Sequence, residues 1–244
     1  MLKIEHFSKS YSGAKKAVDD LSLTVAPGEI CGFIGHNGAG KTTTLRAIAG
    51  IISFNSGSIT VGGHDVQKGT AAKKITAFLP DNPDLYDFLS GIQFLTFIAD
   101  IYQIPDEKRN PLIQKYAGAF ELTAVLGDPI GSYSHGMKQK LALISALIRE
   151  PRLLVLDEPF VGLDPKAAFT VKQFLHELCA GGGAVFFSTH VLEVAEKLCH
   201  RIAIIKQGRL VAAGETESIV GNSSLESVFF ELADMTVPAG GMPL

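Results

Sequence analysis

Residues 29–50 read EICGFIGHNGAGKTTTLRAIAG. EICGFIG fits a strand, a helix fits 41–50 and ends at Gly50, and between them stands Gly35-x-x-x-x-Gly40-Lys41-Thr42. A strand, a glycine-rich turn and a helix that opens on Lys-Thr leave few folds open. This is the phosphate-binding loop in the context that it requires. Gly35, Gly38 and Gly40 let the backbone turn sharply and aim bare N–H groups at phosphate oxygens. The helix start adds its positive end. Lys41 supplies a point charge for the terminal phosphates, and Thr42 offers a hydroxyl to Mg²⁺. A chance match of this pattern arises on the order of once in a hundred chains of this length, and its position between strand and helix makes chance rarer still.

The rest of the chain alternates in the same way. LSLTV (21–25) leads through Pro27-Gly28 into the strand at 29–35. GSITVGG (57–63) reads as a short strand between glycines, and ITAFL (75–79) as another, stopped by Pro80. From about residue 85 to 150 no strand is evident. GIQFLTFIADIYQI (91–104), DEKRNPLIQKYAGAF (106–120) and a stretch over 133–150 read as helices. Strands return at RLLVLDEP (152–159), GAVFFSTH (183–190) and RIAIIKQGRLVAAG (201–214), with helices at 165–179 and 191–199. Gln207-Gly208 marks a hairpin turn in the last of them. The pattern predicts an α/β fold, a P-loop NTPase core with a mainly parallel sheet covered on its faces, an N-terminal antiparallel β region and a helical insertion. On this reading 1–84 and 151–214 form the nucleotide-binding core, 85–150 a helical subdomain, and 215–244 a short C-terminal helical tail.

LLVLDEP is an apolar run that ends in two acids. Leu153 to Leu156 fit a strand buried on both faces. Asp157 and Glu158 then emerge at its C-terminal end, where open α/β sheets bind ligands. Asp157 can hold Mg²⁺, and Glu158 is placed to orient or deprotonate a water that attacks a terminal phosphate. Two acids after an apolar run are common on their own. Downstream of a phosphate-binding loop they complete a nucleotide site.

One helix does not fit a site made of those parts alone. In YSHGMKQKLALISALIRE (133–150), Met137, Leu141, Ile144 and Ile148 recur at helical spacing and Ser134 is a good N-cap. Yet Lys138 and Lys140 stand in the first turns, where the helix dipole disfavours cations. An anion nearby would make sense of them.

Here the chain resembles the ATP-binding subunits of ABC transporters. The family's LSGGQ signature corresponds to Tyr133-Ser134-His135-Gly136-Met137, and the loop at 35–42, FLPD (78–81), LLVLDEP, GLDP (162–165) and STH (188–190) occur in the family's order. The resemblance covers nearly the whole chain. It implies a site for ATP and Mg²⁺ in which Gly35, Asn37, Gly38, Ala39, Gly40, Lys41, Thr42 and Thr43 cradle the phosphates. Tyr11 stacks on adenine, and Thr42, Asp157 and Asp81 serve the metal. It makes Glu158 and His190 the catalytic pair, His190 holding the attacking water's geometry against the γ-phosphate. It also implies that Ser134 and Gly136 cap the γ-phosphate of an ATP held by a second nucleotide-binding subunit, in a homodimer or a heterodimer, so that the anion sought by the 133–150 helix comes from the partner. Asp164 lies in a loop that contacts that subunit. Each motif also has a plain structural reading: Tyr11 as a surface aromatic, Asp164-Pro165 as a helix N-cap and first turn, and His190 as a helix-entry residue.

Two departures stand out. The family usually has Gln at Asp81, and Asp is shorter and charged, so contact with Mg²⁺ runs either directly or through water. His135 replaces a usual glycine and Tyr133 a usual leucine; His135 either adds a donor near the phosphate or faces solvent. The resemblance further implies separate transmembrane permease subunits, docked beside the Asp81 loop and the aromatics of 85–102, and a cytoplasmic place on the inner face of the cell membrane. The tail SSLESVFFELADM and the signature YSHGMKQKL are similar to those of bacterial export-type systems.

Composition narrows the alternatives. The net charge is −3, which gives no global pull toward nucleic acid or anionic lipid. No run approaches 18 apolar residues, and the first residues lack a signal peptide's apolar core. Cys31, Cys179 and Cys199 have no metal-ligand spacing. A guanine-reading N/T-K-x-D motif is missing, and there is one phosphate-binding loop where tandem ribosome-acting members carry two. A soluble ATPase of the same type that acts on ribosomes or nucleic acid is the competing expectation.

Overall fold

A computed structural model describes residues 1–11 and 16–234. The chain opens with two antiparallel strands, β1 (Leu2–Ser10) and β2 (Lys16–Val25), then enters β3 (Ile30–Ile34), which runs into helix α1 (Lys41–Ile48). Strands β4 (Ser56–Val61) and β5 (His64–Asp65), a short helix α2 (Ala71–Ile75) and β6 (Thr76–Leu79) follow. Three helices come next, α3 (Gly91–Ile101), α4 (Asp106–Ala119) and α5 (His135–Leu147). The chain then alternates through β7 (Leu153–Asp157), α6 (Pro165–Ala180), β8 (Ala184–Thr189) and α7 (Leu192–Leu198). It finishes with the hairpin β9 (Arg201–Lys206) and β10 (Arg209–Glu215), and with α8 (Thr216–Val220) and α9 (Leu225–Asp234).

Two sheets result. One is antiparallel, in the order β2-β1-β4-β5; the other has the order β10-β9-β3-β8-β7-β6 and is parallel except for the β9–β10 hairpin. This is the P-loop NTPase architecture expected from the alternation. Every residue of β7 and β8 is buried. Alternate side chains serve different cores: Leu154, Leu156, Val185 and Phe187 join the helices α3 to α6, while Leu153, Val155 and Phe186 pack with α1 and the antiparallel sheet. Each such apolar side chain contributes about 1.5–3 kcal/mol relative to exposure, so the strand that carries Asp157 is held from both faces.

Several boundaries differ from the sequence expectation. Ile75 closes α2 instead of opening a strand, and strand pairing begins at Thr76, opposite Leu153. β1 was not singled out in the sequence. Its side chains do not alternate cleanly, because register shifts between Ile4 and Phe7 interrupt the pairing with β2, and His6 there has φ 51°. The hairpin turn falls at Gln207-Gly208, with φ of 49° and 82°, the twist that a two-residue hairpin favours. Of the expected tail over 215–244, residues 235–244 lie outside the described residues, and α8 and α9 occupy the part within them. Among the described residues no helix is long and apolar enough to cross a membrane.

Candidate active site

The loop between β3 and α1 is shaped by glycines that admit no side chain. A Cβ on Gly40, at φ 111°, would lie 2.6 Å from the carbonyl oxygen of Ala17, and one on Gly35 would lie 2.5 Å from that of Ile205. Gly40 is also the N-cap residue of α1, and no side chain caps the helix there. The first N–H groups of α1 therefore face the hollow that the loop encloses, an anion-binding end in the usual sense.

That hollow, about 230 Å³, is lined by Asn37, Gly38, Gly40, Lys41, Thr42, Thr43, Asp81, Asp157 and Glu158, together with Ala17 and His36. Lys41 is buried, and its ammonium donates to the Gly35 carbonyl at 2.5 Å and lies 3.7 Å from Glu158. Thr42 Oγ1 donates to Asp157 Oδ2 at 2.8 Å. The other oxygen of Asp157 accepts from the Ser188 hydroxyl. Glu158 stands in the left-handed region at φ 50°, where the chain turns off the end of β7. Its N–H donates to the Ser188 carbonyl at 3.1 Å, and its Oε1 lies 3.0 Å from His190 Nδ1. Lys41, Glu158 and His190 thus form one continuous row beyond the C-terminal ends of β3, β7 and β8.

Asp81 enters from the segment after β6. Burial pushes its carboxyl above the usual carboxylate range, and the charges of Asp157 and Glu158 push it the same way. Tyr11 is exposed, with its hydroxyl 3.3 Å from Thr43 Oγ1 and Lys9 over its ring. Ala39 is turned inward: its N–H donates to the His36 carbonyl at 3.1 Å and its carbonyl accepts from Gly208. It shapes the loop from behind and does not line the hollow.

Ser134, Gly136 and Asp164 lie on a different edge of the chain. Ser134 caps α5, its Oγ accepting the Met137 N–H at 3.3 Å, and its own O–H remains to donate. His135 leans on the loop before α6: a Cβ added to Gly162 would lie 2.9 Å from His135 Cδ2. Asp164 Oδ1 accepts the Ala167 N–H and Oδ2 accepts from Lys140. Tyr133 is buried, and its hydroxyl donates to the Val125 carbonyl at 2.6 Å, which makes it a packing residue of the helical region. None of Ser134, His135 and Gly136 lines the hollow of their own chain.

Ser188 has no role in the sequence reading beyond its place in the STH motif, although its hydroxyl donates to Asp157 and its carbonyl accepts the Glu158 N–H. A serine closing the apolar run GAVFFS was the available signal. His36 lies within the 35–42 loop at a position that the pattern leaves open, and Ala17 had no signal. Among the described residues no three His, Cys, Asp or Glu side chains converge as a cation cage. Mg²⁺ needs none, because it keeps waters and phosphate oxygens among its ligands and takes only one or two protein carboxylates. The Thr42 hydroxyl and Asp157 carboxylate are hard oxygens that fit this ion.

Comparison with known proteins adds the family. A family profile described as ABC transporter matches residues 18–161. The linearmycin resistance ATP-binding protein LnrL of Bacillus subtilis (strain 168) is 37% identical over 218 residues, covering 88% of this chain and 69% of that protein. A solved structure described as the ATP binding subunit of an ABC transporter has TM-score 0.91 at 31% identity, covering 96% of this chain and 99% of the other. The ATP-binding cassette MJ0796, solved as a dimer in a post-hydrolysis state with ADP and Pi, has TM-score 0.80 at 22% identity over 88% of this chain and 99% of that one, a likeness of fold. The chain belongs to the ABC transporter family, as one of its ATP-binding, ATP-hydrolysing members.

Proposed function

We propose that this chain powers a transporter by closing head to tail on a second nucleotide-binding subunit, a copy or a relative, with two ATP molecules held between them. The observation that carries the reading is the division of the site. The row Lys41–Glu158–His190 and the pair Thr42–Asp157 surround one hollow, while Ser134 and Gly136 stand on another edge with donors unspent. Each edge completes the other only across two chains.

In that arrangement the 35–42 loop and Lys41 bind the β- and γ-phosphates, with Asn37 and Thr43 at the mouth and Tyr11 positioned for the adenine. Thr42 and Asp157 would hold Mg²⁺, with Asp81 bonded to the ion directly or through water; the ion neutralises charge on the phosphates. Glu158 accepts a proton from, or orients, the attacking water, and His190 fixes the Glu158 carboxylate and reaches toward the γ-phosphate. The residues work by position and charge. To drive an open pair almost wholly closed, ATP must favour the closed state by ~10⁴-fold, or ~5.5 kcal/mol. Charge-assisted donors from two chains supply interactions of that class.

The force needs a recipient. Phe88 is 82% exposed and lies with Tyr86 and Phe97 in one aromatic patch, the ring centroids 5.9 Å from that of Tyr86. An apolar patch of this kind suits a helix of a separate transmembrane permease subunit, which would place the chain on the inner face of the cell membrane. It favours transport over action on ribosomes or nucleic acid, for which a net charge of −3 gives no attraction. Export is the direction supported by the tail 223–235 and by the resistance named for LnrL.

Glu158→Gln tests the core of the proposal. Hydrolysis should fall by roughly 10²–10⁴-fold, and an ATP-dependent dimer should accumulate in light scattering. A variant that stays monomeric at saturating ATP overturns the two-chain site.

A further inference from the structure

The C-terminal helix α9 reaches the phosphate-binding loop from outside. Phe229, at its middle, is 8% exposed, and its ring lies against that of His36, with centroids 4.8 Å apart and planes inclined at 56°. His36 belongs to two hollows. It lines the nucleotide chamber on one side, and on the other it meets Phe229, Ile204 and Leu232. Its backbone carbonyl accepts the Ala39 N–H at 3.1 Å and lies 3.5 Å from Lys41 Nζ. A shift of His36 therefore shifts the turn that aims the loop.

α9 is anchored on both sides of Phe229. At its start the Leu225 N–H donates to Glu196 Oε2 of α7 at 2.7 Å, and Leu225 is fully buried. Further on, Lys206 Nζ donates to the Leu232 carbonyl at 3.1 Å. α7 is the helix that follows His190. One helix thus joins the outer wall of the phosphate cradle to the helix that begins two residues after His190.

We propose that Phe229 is a positioning residue for nucleotide binding. Its ring presses on His36 and holds the first turn of the loop in the shape that receives phosphate. The glycines that give the loop its geometry also give it conformational freedom, and ordering such a backbone costs free energy when ligand binds. A brace on the protein side removes part of that cost beforehand. The inference rests on ATP binding in this loop, as proposed above.

The test compares Phe229→Leu, which keeps apolar volume, with Phe229→Tyr, which keeps the ring. ATP affinity is measured by calorimetric titration, together with the thermal midpoint and amide hydrogen exchange over residues 36–40. The Leu variant should bind ATP roughly two- to tenfold more weakly, the reach of one aromatic contact. Its midpoint should fall by only a few degrees (~2–4 °C per kcal/mol for a chain of this size) while its 36–40 amides exchange faster than those elsewhere in the chain. The Tyr variant should retain wild-type affinity and exchange. Equal affinity and exchange in the Leu variant would overturn this inference alone, as would a fall in affinity that only tracks a lower midpoint and faster exchange throughout the chain. A wild-type chain that binds no ATP would overturn the proposed function and this inference with it.

Discussion

Lys140 Nζ lies 2.8 Å from Asp164 Oδ2, so a lysine in α5's opening turns is bonded to the residue that caps α6 in the same chain. Lys138 is likewise paired with Asp87, at 2.7 Å. The two cations at the start of α5 thus have anions of their own, and the expectation that a partner's phosphate accounts for Lys138 is replaced by an intramolecular carboxylate. Ser134 and Gly136 remain the donors that the proposed two-chain site assigns to a phosphate. The carboxyl of Asp164 is held below the usual carboxylate range, first by Lys140 and then by the Ala167 N–H.

Lys140→Gln should separate these roles. Asp164 keeps its bond to the Ala167 N–H, so the α6 cap survives and the thermal midpoint changes little. The 162–165 loop loses its tie to the signature helix, and steady-state ATP turnover should fall severalfold with ATP affinity unchanged. Turnover equal to wild type would make the pair a surface ornament of the kind that many exposed ion pairs are.

Gly162 is a second position where the same two segments meet. Its φ is 78°, and an added methyl would meet His135 at 2.9 Å. Gly162→Ala should therefore cost ~1–2 kcal/mol from backbone conformation alone, with a further loss from the clash. His135→Gly in the same chain should recover only the second part. Turnover and midpoint of the single and double variants measure the two contributions; equal loss in both backgrounds would show that His135 moves aside freely.

The phosphate loop was legible in the sequence because its chemistry is local. Gly35, Gly38, Gly40, Lys41 and Thr42 fall within eight consecutive residues, and the strand and helix around them have clean boundaries. The start of α5 was legible for the same reason, through Ser134. What joins distant segments was not. Asp87 and Lys138 are 51 residues apart, and Lys9, Tyr11 and Thr43 meet only after β1 has paired. β1 escaped because its bulges break the period of two. The contact of Phe229 with His36 has no local signal at all, since the sequence reading offers only a short helical tail.

Asp81 predicts a pH effect whose sign is fixed by its surroundings. Its folded carboxyl is raised by burial and by Asp157 and Glu158. A raised carboxyl binds its proton more tightly in the folded chain than in the unfolded one, so its contribution to stability declines as pH rises through the interval between the two values. Asp81→Asn removes that decline. Relative to wild type, the Asn variant should gain stability as pH climbs from the ordinary carboxylate range to neutrality, and thermal melts across that range check it. Asp81→Gln should keep turnover within roughly an order of magnitude where contact with the metal runs through water; complete loss of turnover would identify the carboxylate as a required ligand.

The buried Tyr133 makes a prediction about packing that is independent of nucleotide. Gly91 opens α3, and a Cβ there would lie 2.4 Å from the Tyr133 hydroxyl and 3.2 Å from Leu126 Cδ2. Ala is intrinsically the better helix residue by ~1 kcal/mol, so a free surface helix would gain from Gly91→Ala. Here the exchange should destabilise, because the hydroxyl is held in place by its bond to the Val125 carbonyl. Tyr133→Phe alone should cost about 1 kcal/mol for that lost hydrogen bond. With Phe at 133 the nearest obstacle is gone, and Gly91→Ala should then become close to neutral. Chemical denaturation of the four chains in this cycle gives the coupling directly, and strictly additive effects would mean that the hydroxyl yields to the methyl at no cost.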